Sequence, residues 1–299
     1  MHGSFATRAP WSGACASIVA AMVCLALAHA TRAETPVQRG AYLVNIVMAC
    51  GNCHSPRDAN GALISDKAFS GGLTITTPAF VATAPNITED RETGIGDWSD
   101  AEVKRALVEG VRPDHGHLAG VTLAAVMPVS FYKALLPDDL DAIVAYLRTL
   151  KAVRNTVPEP EYKMPVHRQP YPDAEKGFAK SDFSDSVRRG AYLVTIGHCM
   201  ECHSTFAAGV SDFTNGLGHG GRQFGSAIVK GLPDTVVPNI TADPAAGIGA
   251  WSDAEITRAI KQGIARDGRR LNPPMAYPFY AGLSDGDTAD IIAYLRTLK

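Results

Sequence analysis

Cys50, Cys53 and His54, and again Cys199, Cys202 and His203, stand in the order Cys-x-x-Cys-His. Two thiols at that spacing lie close together on one turn of chain. Each can add to one vinyl group of a haem, which leaves the following histidine beneath the iron as its proximal ligand. The spacing is the signature of c-type haem attachment. A structural zinc ion wants four ligands in one cluster, and each motif offers three. A thioredoxin-like thiol pair wants a βαβ surround, whereas this chain reads as mostly helical. Two covalently bound haem c groups, each with its iron, are therefore the expected cofactors.

A haem iron also needs a sixth ligand or an open face. Two protein ligands favour electron transfer, and an open face favours ligand binding or catalysis. Met127, in Met127-Pro128-Val129-Ser130-Phe131-Tyr132, and Met275, in Pro274-Met275-Ala276-Tyr277-Pro278-Phe279-Tyr280, occupy matching places before a final helix. Either loop can fold back over the haem face opposite the Cys-x-x-Cys-His helix. The expected iron ligands are His54 with Met127, and His203 with Met275. Met48 and Met200 lie too near their own motifs, and Met164 has no twin. His115 and His117 are rivals to Met127, since they lie just before it. The second copy has Arg266 to Arg270 in that stretch and no histidine. No residue is assigned a catalytic role. Trp98 and Trp251 read as core residues whose indole N–H could also reach a haem propionate.

The elements that must hold these residues come in two copies. Arg39-Gly40-Ala41-Tyr42-Leu43-Val44 returns as Arg189-Gly190-Ala191-Tyr192-Leu193-Val194. Pro85-Asn86-Ile87-Thr88 returns as Pro238-Asn239-Ile240-Thr241, and Gly94-Ile95-Gly96-Asp97-Trp98-Ser99-Asp100 as Gly247-Ile248-Gly249-Ala250-Trp251-Ser252-Asp253. Tyr146-Leu147-Arg148-Thr149-Leu150-Lys151 returns as Tyr294-Leu295-Arg296-Thr297-Leu298-Lys299. A period this long is a duplicated domain and not a solenoid. Helices are expected over Val37 to Ala49 and Arg189 to His198, after the capping boxes Ser99-x-x-Glu102 and Ser252-x-x-Glu255, and at each copy's end. Apolar residues at helical spacing, Val103, Ala106 and Leu107, support the middle helix. Between the copies, prolines 158, 160, 165, 170 and 172 predict an extended, semi-rigid connector. The fold expected is all-α, with domains at 34–152 and 186–299 and a Pro-rich linker at 153–185. Asn86 and Asn239 match glycosylation sequons, but their recurrence reads as loop fixation near the haem.

Arg8 followed by an apolar run from Ala14 to Ala28 and small residues has the layout of a secretory signal peptide over 1–33, cut after Ala30 or Ala33. The run is shorter than the roughly 20 residues that span a bilayer. Its removal takes Cys15 and Cys24 and leaves every cysteine in a Cys-x-x-Cys-His motif. A periplasmic location is expected, with the membrane met only through a partner. The formal net charge of −2 argues against nucleic acid as a partner.

The order of these motifs resembles the cytochrome c subunits of membrane-bound alcohol, aldehyde and gluconate dehydrogenases, over residues 36–299. The resemblance implies a class I cytochrome c fold in each domain, so two in tandem, with His and Met as axial ligands. It implies a periplasmic dehydrogenase as electron donor and a cytochrome, oxidase or other respiratory-chain component as acceptor. Subunits of that family typically carry three haem domains and a C-terminal membrane helix, where this sequence shows two copies. The alternative is a dihaem enzyme, such as a thiosulfate dehydrogenase or a peroxidase, which would need one haem with a labile or different ligand.

Overall fold

The computed structural model describes residues 1–3 and 34–299. The signal peptide expected over 1–33, its cleavage sites, Cys15 and Cys24 lie outside the described residues. The first copy runs through α1 (Pro36–Tyr42), a π-helical turn (Leu43–Val47), α2 (Gly51–His54), strands β1 (Thr74–Thr76) and β2 (Phe80–Thr83), then α3 (Asp100–Glu109), α4 (Val129–Tyr132) and α5 (Pro137–Leu147). The connector holds β3 (Glu161–Tyr162) and α6 (Pro172–Lys176). The second copy runs through α7 (Ser186–Ile196), α8 (Cys199–His203), β4 (Thr205–Ala207), β5 (Val210–Asp212), β6 (Gln223–Phe224), β7 (Thr235–Val236), α9 (Asp253–Gln262), α10 (Tyr277–Tyr280) and α11 (Asp285–Leu295).

The all-α expectation is corrected by three small antiparallel sheets among the described residues, ordered β1-β2-β3, β4-β5 and β6-β7. Their strands are two to four residues long, too short for alternation to stand out from loop sequence. β3 is contributed by the connector, where Tyr162 pairs with Phe80 and Glu161 with Val81. The proline-rich segment is therefore docked along the first copy. Asn155 Nδ2 donates to Ser70 O at 2.8 Å, and Arg168 Nη1 to Ala124 O at 3.2 Å. Residues Pro36–Lys299 form one compact unit, and one apolar cluster draws on both copies, from Leu43, Val44 and Ile143 to Tyr192, Val194 and Ile292.

One residue more separates Arg39 from Cys50 than Arg189 from Cys199. The π-helical turn absorbs it: Met48 N–H donates to Leu43 O at 2.8 Å, the i→i+5 bond of a single-turn π-bulge. In the second copy α7 is a regular α-helix over the same stretch. Both copies then enter the motif through a left-handed residue, Ala49 at φ 48° and His198 at φ 43°.

The glycine of the repeated Arg-Gly-Ala-Tyr marks where the first and last helices of each copy cross. A Cβ at Gly40 would lie 1.9 Å from Ala142 O, and one at Gly190 would lie 1.9 Å from Asp290 O. Only a hydrogen fits in that gap. The preceding arginine locks the same crossing: Arg39 grips Asp139 with two bonds, at 2.8 and 3.0 Å, and Arg189 bridges Asp287 and Asp290. Gly190→Ala is expected to destabilise the protein by about 1–3 kcal/mol or more, because the helices must separate to admit the methyl. Denaturant unfolding of the variant beside the parent protein checks this, and an unchanged midpoint would contradict it.

The middle helices form as expected. Ser99 and Glu102 cap α3 reciprocally, as Ser252 and Glu255 cap α9. The arginine of the closing Leu-Arg-Thr-Leu ties the Gly-Ile-Gly-x-Trp turn to the last helix. Arg148 Nη2 donates to Trp98 O at 2.5 Å, and Arg296 Nη2 to Trp251 O at 2.6 Å.

Candidate functional site

α2 carries Cys53 and His54, with Cys50 as its N-cap, and α8 carries Cys199, Cys202 and His203. His54 Nδ1 lies 2.8 Å from Pro85 O, and His203 Nδ1 lies 2.9 Å from Pro238 O. A carbonyl only accepts, so Nδ1 carries the hydrogen and donates it. Nε2 is left with its lone pair, the state a metal ligand needs, and the carbonyl fixes the ring's orientation. Burial holds both imidazoles below their usual range, so each ring is neutral at neutral pH.

The accepting carbonyls sit in the repeated Pro-Asn-Ile-Thr segment, whose asparagine folds it. Asn86 Oδ1 accepts from Thr88 N at 2.9 Å, and Asn239 Oδ1 from Thr241 N at 2.8 Å. The histidine's own backbone is pinned by a second loop, since Gly71 N and Gly220 N each donate to the histidine carbonyl at 2.7 Å. Gly71 has φ 90°, and a Cβ there would lie 2.7 Å from Ala84 O. That close approach requires glycine. Sequence reasoning treated Pro85 and Pro238 as loop residues. Their recurrence at the head of the repeated Pro-Asn-Ile-Thr segment downstream of each histidine was the signal available.

Burial pushes the Cys50 and Cys202 thiols up to about 12, and those of Cys53 and Cys199 up to about 11. All four are neutral at neutral pH. A thioredoxin-like pair instead needs a thiol of depressed pKa to supply its nucleophilic thiolate. Among the described residues, no group of three or more His, Cys, Asp or Glu side chains is placed to hold a metal ion.

Met127 is half-buried and packs against the apolar cluster. It lies in a tight turn, its N–H donating to Ala124 O at 3.0 Å and its carbonyl accepting from Val129 N at 2.7 Å, which leads into α4. Met275 is also half-buried, in the turn that leads into α10. The rival histidines are engaged elsewhere. His115 Nε2 pairs with Glu102 Oε1 at 3.0 Å, and His117 Nε2 with Val157 O at 3.1 Å.

The two attachment segments meet. A Cβ at Gly197 would lie 3.2 Å from Val47 O, and one at Gly51 would lie 3.2 Å from the Phe279 ring. Asn52 Nδ2 donates to Pro274 O at 3.4 Å. The methionine-bearing loop of the second copy thus rests on the Cys-x-x-Cys-His segment of the first.

Two buried groups test whether a haem fits. The Trp98 indole N–H is buried without an acceptor, which is costly unless something supplies one. Arg112 is buried, its Nη1 donating at 2.8 Å to the Val121 carbonyl. Its positive charge helps depress His54, and no carboxylate pairs with it among the described residues. A buried cation wants a counter-charge. The carboxylates of a haem would satisfy both groups, so the residues present fit one. Arg112 was missed at the sequence level, because a lone arginine in a loop has no distinguishing pattern.

Residues 187–299 match the family model described as cytochrome c. The match covers a single cytochrome c domain, which corrects the expectation of two in tandem. The chain is 29% identical over 266 residues to the alcohol dehydrogenase (quinone), cytochrome c subunit, of Gluconacetobacter polyoxogenes, covering 79% of this chain and 51% of that protein. It is 29% identical over 280 residues to the fructose dehydrogenase cytochrome subunit of Gluconobacter japonicus, covering 88% of this chain and 52% of that protein. It is 28% identical over 261 residues to a diheme cytochrome c-type protein of Cereibacter sphaeroides, covering 83% and 81%. The chain thus spans about half the length of the dehydrogenase subunits it matches.

Proposed function

From a chain similar to the cytochrome c subunits of dehydrogenases along most of its length, we propose a dihaem c-type cytochrome that carries electrons and performs no bond chemistry of its own. The observation that carries this is the repeated histidine geometry, Nδ1 bonded to a proline carbonyl at 2.8 Å and 2.9 Å, beside a half-buried thiol pair in each copy. Cys50, Cys53, His54 and Met127 would hold one haem within 34–152. Cys199, Cys202, His203 and Met275 would hold the other within 186–299. A bound haem supplies a reversible one-electron couple between ferric and ferrous iron. The protein's part is to fix the proximal histidine's tautomer, keep the iron six-coordinate with a thioether that raises the potential, and place the two attachment segments in contact.

The donor in this reading is a periplasmic dehydrogenase, and the acceptor is a cytochrome, oxidase or other respiratory component. The chain is exported by a signal peptide over 1–33 and reaches the membrane through its partner. No described helix is long and apolar enough to cross a membrane. The enzyme alternative rested on His115 and His117, which bond to Glu102 and Val157 instead. Carbon monoxide separates the two readings. The reduced haem-loaded protein is expected to leave its Soret spectrum unchanged under carbon monoxide, because both irons keep two protein ligands. A carbon monoxide shift at one haem in the unaltered protein would favour the enzyme.

A further inference from the structure

The tyrosine of each Arg-Gly-Ala-Tyr-Leu-Val copy reaches across to the other copy. Tyr192, fully buried on α7, donates from its hydroxyl to Asp139 Oδ2 at 2.6 Å and accepts from Leu136 N at 3.4 Å. Tyr42, on α1, donates to Asp287 Oδ2 at 2.5 Å and accepts from Ser284 N at 3.1 Å. Leu136 is the N-cap residue of α5, and Ser284 that of α11. Asp139 and Asp287 stand three residues further on, within each helix's first turn. In an ordinary capping box the carboxylate at that position reaches the N-cap N–H itself. Here a phenol from the opposite copy stands between the two groups and satisfies both.

We propose that the two copies cap one another's last helix, and that Tyr192 and Tyr42 are positioning residues for the methionine loop of the opposite copy. The inference rests on the ligand assignment given above. Short bonded steps join each capped turn to its methionine. Leu135 N donates to Tyr132 O at 3.0 Å, and Val129 N to Met127 O at 2.7 Å. In the second copy Leu283 N donates to Tyr280 O at 3.0 Å. Packing follows the same exchange: α4 contacts α7, and α10 contacts the π-helical turn after α1. The first copy depends on this more. Leu136 offers no side-chain cap, whereas Ser284 Oγ already accepts from Asp287 N at 3.0 Å.

Tyr192→Phe and Tyr42→Phe in the haem-loaded protein test this, since each removes one oxygen and keeps the ring. Two readouts apply: native-state hydrogen exchange at Leu136 and Ser284, and the ligated-methionine methyl signals of the reduced protein, assigned with Met127→Leu and Met275→Leu. Tyr192→Phe is expected to speed exchange at Leu136 by about tenfold, the effect of one lost charge-assisted hydrogen bond. It is also expected to lower the denaturant concentration at which the Met127 signal disappears, with Ser284 and Met275 unmoved. Tyr42→Phe is expected to act on Ser284 and Met275, by a smaller factor. An unchanged Leu136, or an effect confined to the copy that carries the substitution, overturns the proposal. If the parent protein shows no ligated methionine, the ligand assignment fails and the positioning role with it, while the exchange data still decide whether the copies cap each other.

Discussion

A Cys199→Ser/Cys202→Ser protein is expected to carry one covalent haem where the proposed dihaem parent would carry two. Each Cys-x-x-Cys-His segment is a separate short helix, α2 or α8, with its own histidine and its own proline carbonyl. Nothing in one motif supplies a thiol to the other, so attachment fails one haem at a time. The mass of the intact protein should fall by one haem, and the pyridine haemochrome absorbance per chain should halve. Cys50→Ser/Cys53→Ser should give the complementary product. The single-haem proteins should also be less stable, because a large apolar group leaves a core that both copies share and cavities in a packed interior cost several kcal/mol. Two covalent haems persisting in either variant would contradict the attachment assignment.

Replacing Met127 or Met275 by alanine is expected to have the next largest effect. Under the proposed ligand assignment, either change removes one thioether from one iron. Axial ligands span roughly 0.8 V of haem potential, and a thioether lies toward the high end. The affected haem should therefore fall by on the order of 0.1 V or more, while the other keeps its potential. The same iron should become open to carbon monoxide. For Met127→Ala, His115 and His117 are the nearby candidates to fill the vacancy in sequence. Both are bonded elsewhere, to Glu102 and to the Val157 carbonyl. A potentiometric titration that leaves both haems unmoved in Met127→Ala would show that another group ligates that iron.

The two thiol–imidazole clusters stood out in the sequence because each sets two thiols and an imidazole within five positions. The capping boxes were legible because three-residue spacing is local. The reasons for the repeated motifs were not legible. Gly40 and Gly190 mark a helix crossing that brings together residues about a hundred positions apart. Arg148 and Arg296 clamp a turn about fifty positions upstream. Tyr42 and Tyr192 stood out only as members of a repeated segment, yet each bonds to the other copy. A repeat shows that a residue is needed in both copies, but not which copy uses it. The sheets were missed because two-residue strands such as β6 and β7 carry no periodicity, and β3 forms only by docking a proline-rich connector on β2.

The central claim is that both irons are held between a histidine and a methionine. The far-red charge-transfer band of the oxidised, haem-loaded protein tests it most directly, because that weak band accompanies methionine–iron ligation. The expected result is two methionine-ligated irons' worth of intensity per chain, falling by half in Met127→Ala and by half in Met275→Ala. Half that intensity in the parent protein, abolished by Met275→Ala and untouched by Met127→Ala, would contradict it.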